Sequence, residues 1–235
     1  MNVVVTGASK GIGFHIVQAL ARAGVLKIIG ISRNYKQLCQ LKEICSQLSM
    51  TEFIPMSYDF QQIAAADPQL AGMIKQHLNH IDILINNAGS LVNKPFENIT
   101  YDEISRVFNV NYMAPALLTK YLLPLLRAGQ AHVVNITSMG GFQGSVKFRG
   151  LSHYSASKAA LAVLTECLAE EYKKEGLVFN ALALGAVQTD MLAEAFPNFK
   201  APVNAEQMGE FIANFAMNGK AFFNGKILPV SLATP

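Results

Sequence analysis

A tyrosine and a lysine, Tyr154 and Lys158, stand four residues apart in the sequence. Residues at this spacing lie on one face of a helix, so the two side chains would be neighbours. A lysine ammonium beside a phenol favours the phenolate and lowers a tyrosine pKa that is ordinarily about 10. Such a tyrosine can exchange a proton near neutral pH. The spacing also arises by chance, so its interpretation depends on the residues around it.

A serine upstream of this pair supplies a second hydroxyl. Ser138 ends an apolar run over residues 132–138 that has the pattern of a buried strand, and a glycine-rich stretch over 139–151 follows it. A hydroxyl at the end of this strand can hold a carbonyl oxygen beside Tyr154. The three side chains together predict proton transfer at a carbonyl or alcohol group.

The chain opens with a glycine turn between a valine-rich strand and a helical pattern. The turn contains Gly7, Gly11 and Gly13. Glycine lets a ligand approach the backbone without a Cβ clash, and the helix that follows presents free N–H groups to a phosphate. The GxxxGxG spacing differs from the GxGxxG of many dinucleotide folds, and no Gly-Lys-Ser/Thr closes it as in triphosphate-binding loops. We therefore predict that this turn binds a pyrophosphate group.

The charges near this turn indicate which dinucleotide it binds. The first 42 residues contain neither Asp nor Glu. In dinucleotide folds an acid about twenty residues past the glycine turn bonds the ribose 2′-hydroxyl of NAD, whereas Ser32 and Arg33 stand there in this chain. A guanidinium binds a 2′-phosphate well, and Lys10 inside the turn could reach the same group. The sequence predicts NADP(H) in preference to NAD(H). The alternative is that both cations are ordinary surface charges.

Strand-like and helical segments alternate along almost the whole chain, which predicts a parallel sheet covered by helices on both faces. The predicted strands lie near 2–6, 27–31, 52–57, 81–86, 131–137, 177–183 and 227–231. The predicted helices lie near 11–24, 35–49, 61–79, 100–128, 152–175 and 204–218. The stretches 139–151 and 186–203 are expected to be irregular and to lie at the carboxyl edge of the sheet, where doubly wound folds bind ligands.

These elements predict one α/β domain over residues 1–235, doubly wound, with a seven-stranded parallel sheet. The alternative is a division into two domains. Two long helices, near 100–128 and 152–175, carry apolar residues on more than one side, which favours a homo-oligomer. The alternative for the second helix is burial deep inside one domain.

Composition argues against several other classes of protein. Net charge is only +3, with no basic run and no tryptophan, which argues against nucleic acid as a partner. No apolar stretch reaches the roughly 18 residues of a membrane span, and the N-terminus has the pattern of a strand and turn rather than a signal peptide. The three cysteines and five histidines form no metal-ligand spacing. We expect a reduced, cytoplasmic protein that contacts no membrane and holds no metal.

The motifs occur in the order typical of the short-chain dehydrogenase/reductase family, which the chain resembles over essentially its whole length. The matching segments are Thr6-Gly7-xxx-Gly11-Ile12-Gly13, Asn86-Asn87-Ala88-Gly89, Asn111, Ser138, Tyr154-xxx-Lys158, and Gly185 with Thr189. The resemblance implies a Rossmann-type fold and an NADPH-dependent carbonyl reductase, with a 3-oxoacyl thioester as the leading substrate. Other ketones, sugars and a pteridine side chain remain open. The competing class is a non-catalytic NADP(H) sensor, against which the intact catalytic residues argue.

The resemblance also implies a role for each site residue. Ser138 orients the carbonyl, Tyr154 donates the proton, and Lys158 lowers the tyrosine pKa and bonds the nicotinamide ribose. Asn111 holds a water in a proton relay, with Asn109 as its rival. The implied cofactor-binding residues are Thr6, Gly7, Ser9, Lys10, Gly11, Ile12, Gly13, Ser32, Arg33, Asp59, Asn87, Ala88, Gly89, Tyr154, Lys158, Gly185, Val187 and Thr189. The resemblance also implies that this chain forms a homo-dimer or homo-tetramer.

Three features depart from the family pattern. Leu184-Gly185 stands where Pro-Gly is usual, the stretch from Ser138 to Tyr154 is longer, and the C-terminal segment 224–231 lacks the usual following Gly-Gly. Several side chains next to the motifs are candidates for the substrate pocket. They are Met139, Phe142, Phe148, Leu151, His153 and Met191.

Overall fold

Nine strands occur in the computed structural model, which describes residues 1–63 and 68–233. They are β1 (Asn2–Thr6), β2 (Lys27–Ser32), β3 (Glu52–Ser57), β4 (Ile83–Asn86), β5 (His132–Ser138), β6 (Val178–Leu184), β7 (Val187–Gln188), β8 (Val203–Asn204) and β9 (Lys226–Val230). Seven of them form a parallel sheet in the order β3-β2-β1-β4-β5-β6-β9, and β7 pairs with β8. The predicted seven-stranded parallel sheet is confirmed. Its strand order reverses between β1 and β4, where such folds open a crevice at the carboxyl edge.

Helices cover both faces of this sheet. They are α1 (Gly11–Arg22), α2 (Tyr35–Leu48), α3 (Gln69–Lys75), α4 (Tyr101–Phe108), α5 (Ala114–Gly129), α6 (Ser152–Tyr172), α7 (Asp190–Ala195) and α8 (Ala205–Asn218). Helices α1, α2 and α8 pack with Val3 and Val5 on one face, whereas α3, α5 and α6 pack with Val4 on the other. Because successive strand residues point to opposite faces, a strand between two helical layers reads as a continuous apolar run. This explains the valine run of β1.

The helix predicted over 61–79 is wrong in its extent. A short 3₁₀ turn covers Phe60–Gln62, capped by the Asp59 carboxylate, and α3 begins at Gln69. Residues 64–67 of the predicted helix lie outside the described residues. The segment predicted as one helix over 100–128 is α4 and α5, joined by a π turn at Asn109–Met113. A capping box between Thr100 and Glu103 fixes its start.

The stretch 186–203 is more regular than predicted, because β7, α7 and β8 lie within it. The stretch 139–151 is irregular apart from a 3₁₀ turn at Met139–Gly141. Both stretches follow the sheet's carboxyl edge, as predicted. Within the parts of the chain that the structure describes, none of the helices combines the length and apolar character needed to cross a bilayer.

Candidate active site

The glycine turn after β1 has the geometry of a phosphate cradle. Gly7 and Gly11 adopt positive φ angles of 70° and 58°, a region that residues with a side chain rarely enter. A Cβ on Gly13 would lie 2.2 Å from the Gly7 carbonyl oxygen, so only glycine fits there. Helix α1 then begins without a side-chain cap and without an acid in its first turn. Its N-terminus can therefore receive an anion, and these residues fit a dinucleotide pyrophosphate.

Thr6 ties this turn to the loop after β4. Its hydroxyl oxygen accepts hydrogen bonds from the backbone N–H groups of Asn87 and Ala88, both at 3.0 Å. The Asn87 side-chain amide donates back to the Thr6 carbonyl at 3.0 Å. Thr6 is buried and does not line the cleft, whereas Asn87 and Ala88 do. Thr6 thus holds two cleft-lining residues in place, and its predicted cofactor contact stays a prediction.

The predicted cofactor residues at the ends of β2 and β3 line the same cleft. The hydroxyls of Ser9 and Ser32 lie 2.7 Å apart and join the glycine turn to β2. Arg33 is exposed along the cleft, and Asp59 faces it while accepting a hydrogen bond from the Gln61 N–H. Of the described carboxylates, none forms an ion pair with Arg33. Its guanidinium is therefore available to an anionic ligand.

Lys10, in contrast to Arg33, forms an ion pair. Its ammonium lies 2.9 Å from the Asp190 carboxylate at the start of α7, and both side chains are largely exposed. The pair spans the mouth of the cleft, from the glycine turn to α7. Of the two cations considered for a 2′-phosphate, Lys10 is the one already paired.

The catalytic candidates meet where β5 ends and α6 begins. The Ser138 and Tyr154 hydroxyls both line the cleft, and Ser138 is near enough to lower the pKa of the phenol. A Cβ on Gly140 would lie 2.8 Å from Ser155 Oγ, and one on Gly141 would lie 2.7 Å from the Ala159 nitrogen. Two glycines after β5 thus let the loop pack directly against α6. This close approach brings the two hydroxyls together.

Lys158 is buried and lies on the same helix face as Tyr154. Its ammonium donates to the Ile136 carbonyl at 2.8 Å, and burial lowers the pKa of Lys158 to about 8. Burial raises the pKa of Tyr154, and the nearby Ser138 hydroxyl offsets this only in part. The spacing predicted a lowered tyrosine pKa, whereas burial of the phenol is the larger effect and raises it.

Asn111 lies inside the π turn and is fully buried. Its side-chain amide donates to the Ser90 carbonyl at 2.9 Å and to Ser157 Oγ at 3.0 Å, while its oxygen accepts from the Ser90 N–H at 2.8 Å. A Cβ on Gly89 would lie 3.7 Å from both Asn111 Oδ1 and Lys158 Nζ, so the two groups flank one point. The structure thus brings Asn111 to Lys158, the predicted catalytic lysine.

Its rival Asn109 faces elsewhere, donating to the Gln61 carbonyl at 3.4 Å. Ser90 and Ser157 were not predicted as site residues, although both hold Asn111 in place. Ser157 stands inside the Tyr154-xxx-Lys158 motif, but its position one residue before the lysine gives no sign of that contact. π turns are frequent at functional sites, and the sequence pattern does not reveal this one.

The segment after β6 completes the cleft. Leu184, in place of the usual proline, ends β6 between Ser138 and Val230 and is buried. A Cβ on Gly185 would lie 2.0 Å from Ser231 Oγ, so glycine is required where the C-terminal strand passes. The lining after Gly185 includes Val187 and Thr189, and Thr189 also caps α7.

The candidates for the substrate pocket divide into two groups. Met139, Phe148, Leu151 and Met191 line the cleft. His153 and Phe142 do not, and His153 stacks on Phe96 at 5.4 Å between ring centroids. The cleft lining also includes three apolar residues that were not predicted, Leu91, Leu192 and Phe196. Each of them is apolar and follows motif residues in the sequence, and this was the only signal that could have identified them as lining residues. Across residues 1–63 and 68–233, no cluster of His, Cys, Asp and Glu is suited to a metal ion.

Comparison with known proteins agrees with this geometry. Residues 1–199 match the family of short chain dehydrogenases. Ketoacyl reductase HetN of Nostoc sp. is 34% identical over 200 residues, which make up 82% of this chain and 66% of that protein. Dehydrogenase/reductase SDR family member 7B of Mus musculus is 33% identical over 199 residues, which make up 82% of this chain and 59% of that protein. The chain thus spans about two thirds or less of these two relatives.

The likeness extends to solved structures. The complex of Pseudomonas aeruginosa RhlG with NADP matches with a TM-score of 0.84 and 26% identity, covering 97% of this chain and 94% of that one. This chain therefore combines a Rossmann-type fold that has known relatives with a glycine turn and with the Ser138, Tyr154 and Lys158 side chains. The chain belongs to the short-chain dehydrogenase/reductase family of oxidoreductases.

Proposed function

We propose that this protein transfers a hydride between NADP(H) and the carbon of a carbonyl or alcohol group. The observation that carries the proposal is that Ser138, Tyr154 and buried Lys158 meet in the same cleft as the glycine turn. NADPH supplies the hydride when bound, so that a ketone, NADPH and one proton give an alcohol and NADP⁺.

The side chains of this protein supply the proton and orient the substrate carbonyl. The Ser138 hydroxyl donates a hydrogen bond to the carbonyl oxygen, and Tyr154 gives its proton to that oxygen as the carbon is reduced. Burial raises the pKa of Tyr154, which keeps the phenol protonated near neutral pH and suits a proton donor. Lys158 stabilises the negative charge left on the tyrosine, and Asn111 positions the route by which a proton returns.

The cofactor preference that we propose is for NADP(H) over NAD(H). It is supported by Arg33, which lines the cleft without an ion-pair partner among the described residues. It is also supported by the absence of acids from the first 42 residues, because a carboxylate would repel a 2′-phosphate. The relative solved with NADP adds support for a nicotinamide cofactor.

For the substrate, we propose a 3-oxoacyl thioester as the first compound to test. The support is a relative's name, ketoacyl reductase, together with an apolar lining beside the catalytic hydroxyls. That relative is longer than this chain, so its activity is a starting point for assays.

We also propose that residues 1–235 act as one domain and assemble as a homo-dimer or homo-tetramer. The first and last strands belong to one sheet, which supports the single domain. Helix α6 exposes an apolar stripe in which Val163 is 57% exposed and Cys167 lies one turn further on. Small and apolar residues of this kind allow a second helix to approach closely.

A spectrophotometric assay tests the enzymatic proposal. NADPH oxidation is measured with a panel of carbonyl compounds, including 3-oxoacyl thioesters, for wild type and the Ser138→Ala variant. We expect turnover that the variant loses while it still binds NADPH. Tight NADPH binding without turnover of any compound across pH would contradict the proposal and favour a sensor.

A further inference from the structure

The part of the cleft next to the catalytic hydroxyls has an apolar lining. Three segments, which follow β4, β5 and β7, contribute its side chains: Leu91, Met139, Phe148, Met191, Leu192 and Phe196. Met191 reaches the catalytic residues, since a Cβ on Gly89 would lie 3.9 Å from Met191 Cε and 3.7 Å from Lys158 Nζ. A substrate carbonyl at Ser138 would therefore have apolar groups around it.

Two of these segments meet through an aromatic pair. The rings of Phe148 and Phe196 lie edge to face, with centroids 5.6 Å apart and planes at 73°. Both side chains are half-buried, so part of each ring still faces the cleft. Edge-to-face contact of this kind is favourable and fixes the distance between the two segments. The pair forms one wall of the cleft.

Hydrogen bonds hold the same segments to the loop after β4. The Asn93 side-chain amide donates to the Ala195 carbonyl at 2.8 Å, directly before Phe196. The Lys94 N–H donates to the Gly150 carbonyl at 3.2 Å, two residues after Phe148. The segments that carry the aromatic wall are thus held by one side-chain and one main-chain hydrogen bond. These hydrogen bonds help to fix the position of the wall, which therefore does not depend on the ring contact alone.

The charged lining residues lie away from this wall or have partners. Within the described part of the cleft, these residues are Lys10, Arg33, Asp59, Lys158 and Asp190. Lys10 and Asp190 pair with each other. Arg33 and Asp59 follow β2 and β3, at least three strand spacings from β5, or roughly 14 Å. Lys158 belongs to the catalytic group. Lys147 and Arg149 flank Phe148 but do not line this cleft, so among its lining residues none offers a free counter-charge at the wall.

From these observations we infer that the site selects uncharged carbonyl compounds with an apolar group beside the carbonyl, and that Phe148 and Phe196 set this selectivity. The inference rests on the proposed carbonyl reduction and deepens it. The transfer of an apolar group from water to a position against the two rings has a favourable free energy. A carboxylate placed there would lose its hydration without a compensating partner.

Matched pairs of substrates test this selectivity with the wild-type protein. One pair is acetophenone and 4-acetylbenzoate, and the other is the 3-oxohexanoyl and 3-oxoadipyl thioesters of N-acetylcysteamine. In each pair that is turned over, we expect kcat/KM to be at least about tenfold higher for the uncharged member. Equal or faster turnover of the charged member would overturn the inference while leaving carbonyl reduction intact. If none of the four compounds is turned over while NADPH still binds in a fluorescence titration, the proposed function itself is refuted.

Variants of the wall test the two phenylalanines. Phe148→Ala and Phe196→Ala should each lower kcat/KM for the uncharged members at least about fivefold, with an unchanged dissociation constant for NADPH. Phe196→Arg should move the preference within each pair toward the carboxylate at least about tenfold. Phe222→Ala is the matched control, because Phe222 is 80% exposed and lies outside the cleft. Unchanged selectivity in all three wall variants would remove these residues from the inference.

Discussion

The Lys158 ammonium donates to the Ile136 carbonyl at 2.8 Å, which fixes α6 to β5 only two residues before Ser138. One strand therefore positions two candidate catalytic groups, the serine through its own side chain and the lysine through the strand's backbone. The bond also explains how a buried ammonium is tolerated, because its charge has a polar partner. Burial nevertheless lowers the pKa of Lys158 to about 8, within reach of kinetic experiments.

The first prediction concerns this pKa. We expect kcat/KM for carbonyl reduction to stay level below about pH 8 and to fall above it, because the neutral lysine cannot stabilise a tyrosinate. Burial raises the pKa of Tyr154 above its ordinary value, so the phenol itself titrates at higher pH. In Lys158→Arg the cation does not titrate, and the remaining activity should lack the alkaline decline. A decline unchanged in that variant would assign it to another group.

The second prediction concerns the proton donor. Tyr154→Phe should abolish turnover and leave NADPH affinity within about a few-fold, because the ring still packs and the lost oxygen acts in the transition state. Tyr172→Phe is a matched control on the same helix, where the ring lies beneath the Arg127 guanidinium, outside the cleft. Steady-state kinetics and NADPH fluorescence measure both effects. Substantial activity in Tyr154→Phe would exclude the phenol as proton donor.

Much of this arrangement could be predicted from sequence, for local reasons. The valines of β1 and the helical spacing of Ile16, Val17 and Leu20 specify their elements without reference to the rest of the chain. The π turn around Asn111 could not be predicted, because its bonds to Ser90 and Ser157 exist only once three segments have met.

The aromatic wall shows the same limit. Phe196 follows α7, a helix of 6 residues that is too short to give a periodic signal. Its partner Phe148 lies in an irregular loop, and the contact joins residues far apart in the chain. The direction of the Tyr154 pKa shift also escaped the spacing argument, because it depends on burial of the phenol.

The third prediction concerns stability in acid. His132 is buried between β6 and α8, with Nδ1 at 2.9 Å from the Ala216 carbonyl and Nε2 at 3.0 Å from the Asn180 amide nitrogen. Nε2 must therefore accept, so the ring is neutral, and burial lowers the pKa of His132 to about 4. Unfolding raises this pKa to its ordinary value of about 6.5, so the unfolded chain binds more protons between those values.

The free energy of unfolding should therefore be fully retained above about pH 6.5 and fall as the pH drops to about 4, by at most about 3 kcal/mol from this group. Urea unfolding at a series of pH values measures the slope. His132→Gln keeps a polar side chain without this titration, so its slope should be smaller. His77→Gln, at an exposed histidine, should retain the wild-type slope. Identical slopes in all three proteins would rule out His132 as the source.

The fourth prediction concerns assembly through α6. Val163 is 57% exposed in the middle of this helix, so Val163→Glu would place a charge in any helix-to-helix contact made there. We expect light scattering at micromolar protein to give a dimer or tetramer for wild type and a smaller species for the variant. Leu26→Glu, at a residue that is 65% exposed between α1 and β2, is the matched control and should assemble normally. A wild-type monomer would end the proposal of an oligomer.

The fifth prediction concerns cofactor choice, for which the structure separates two cations. Arg33→Asp should lower the preference for NADPH over NADH at least about tenfold, because it removes a guanidinium from the 2′-phosphate and adds a repelling carboxylate. With NADH, the new carboxylate can accept from the ribose hydroxyl instead. Lys10→Ala should change the ratio less, because Lys10 is already paired with Asp190 at 2.9 Å. The ratio of kcat/KM for the two cofactors measures both variants. An unchanged ratio in Arg33→Asp with a large change in Lys10→Ala would reverse the assignment and make the glycine-turn lysine the phosphate ligand.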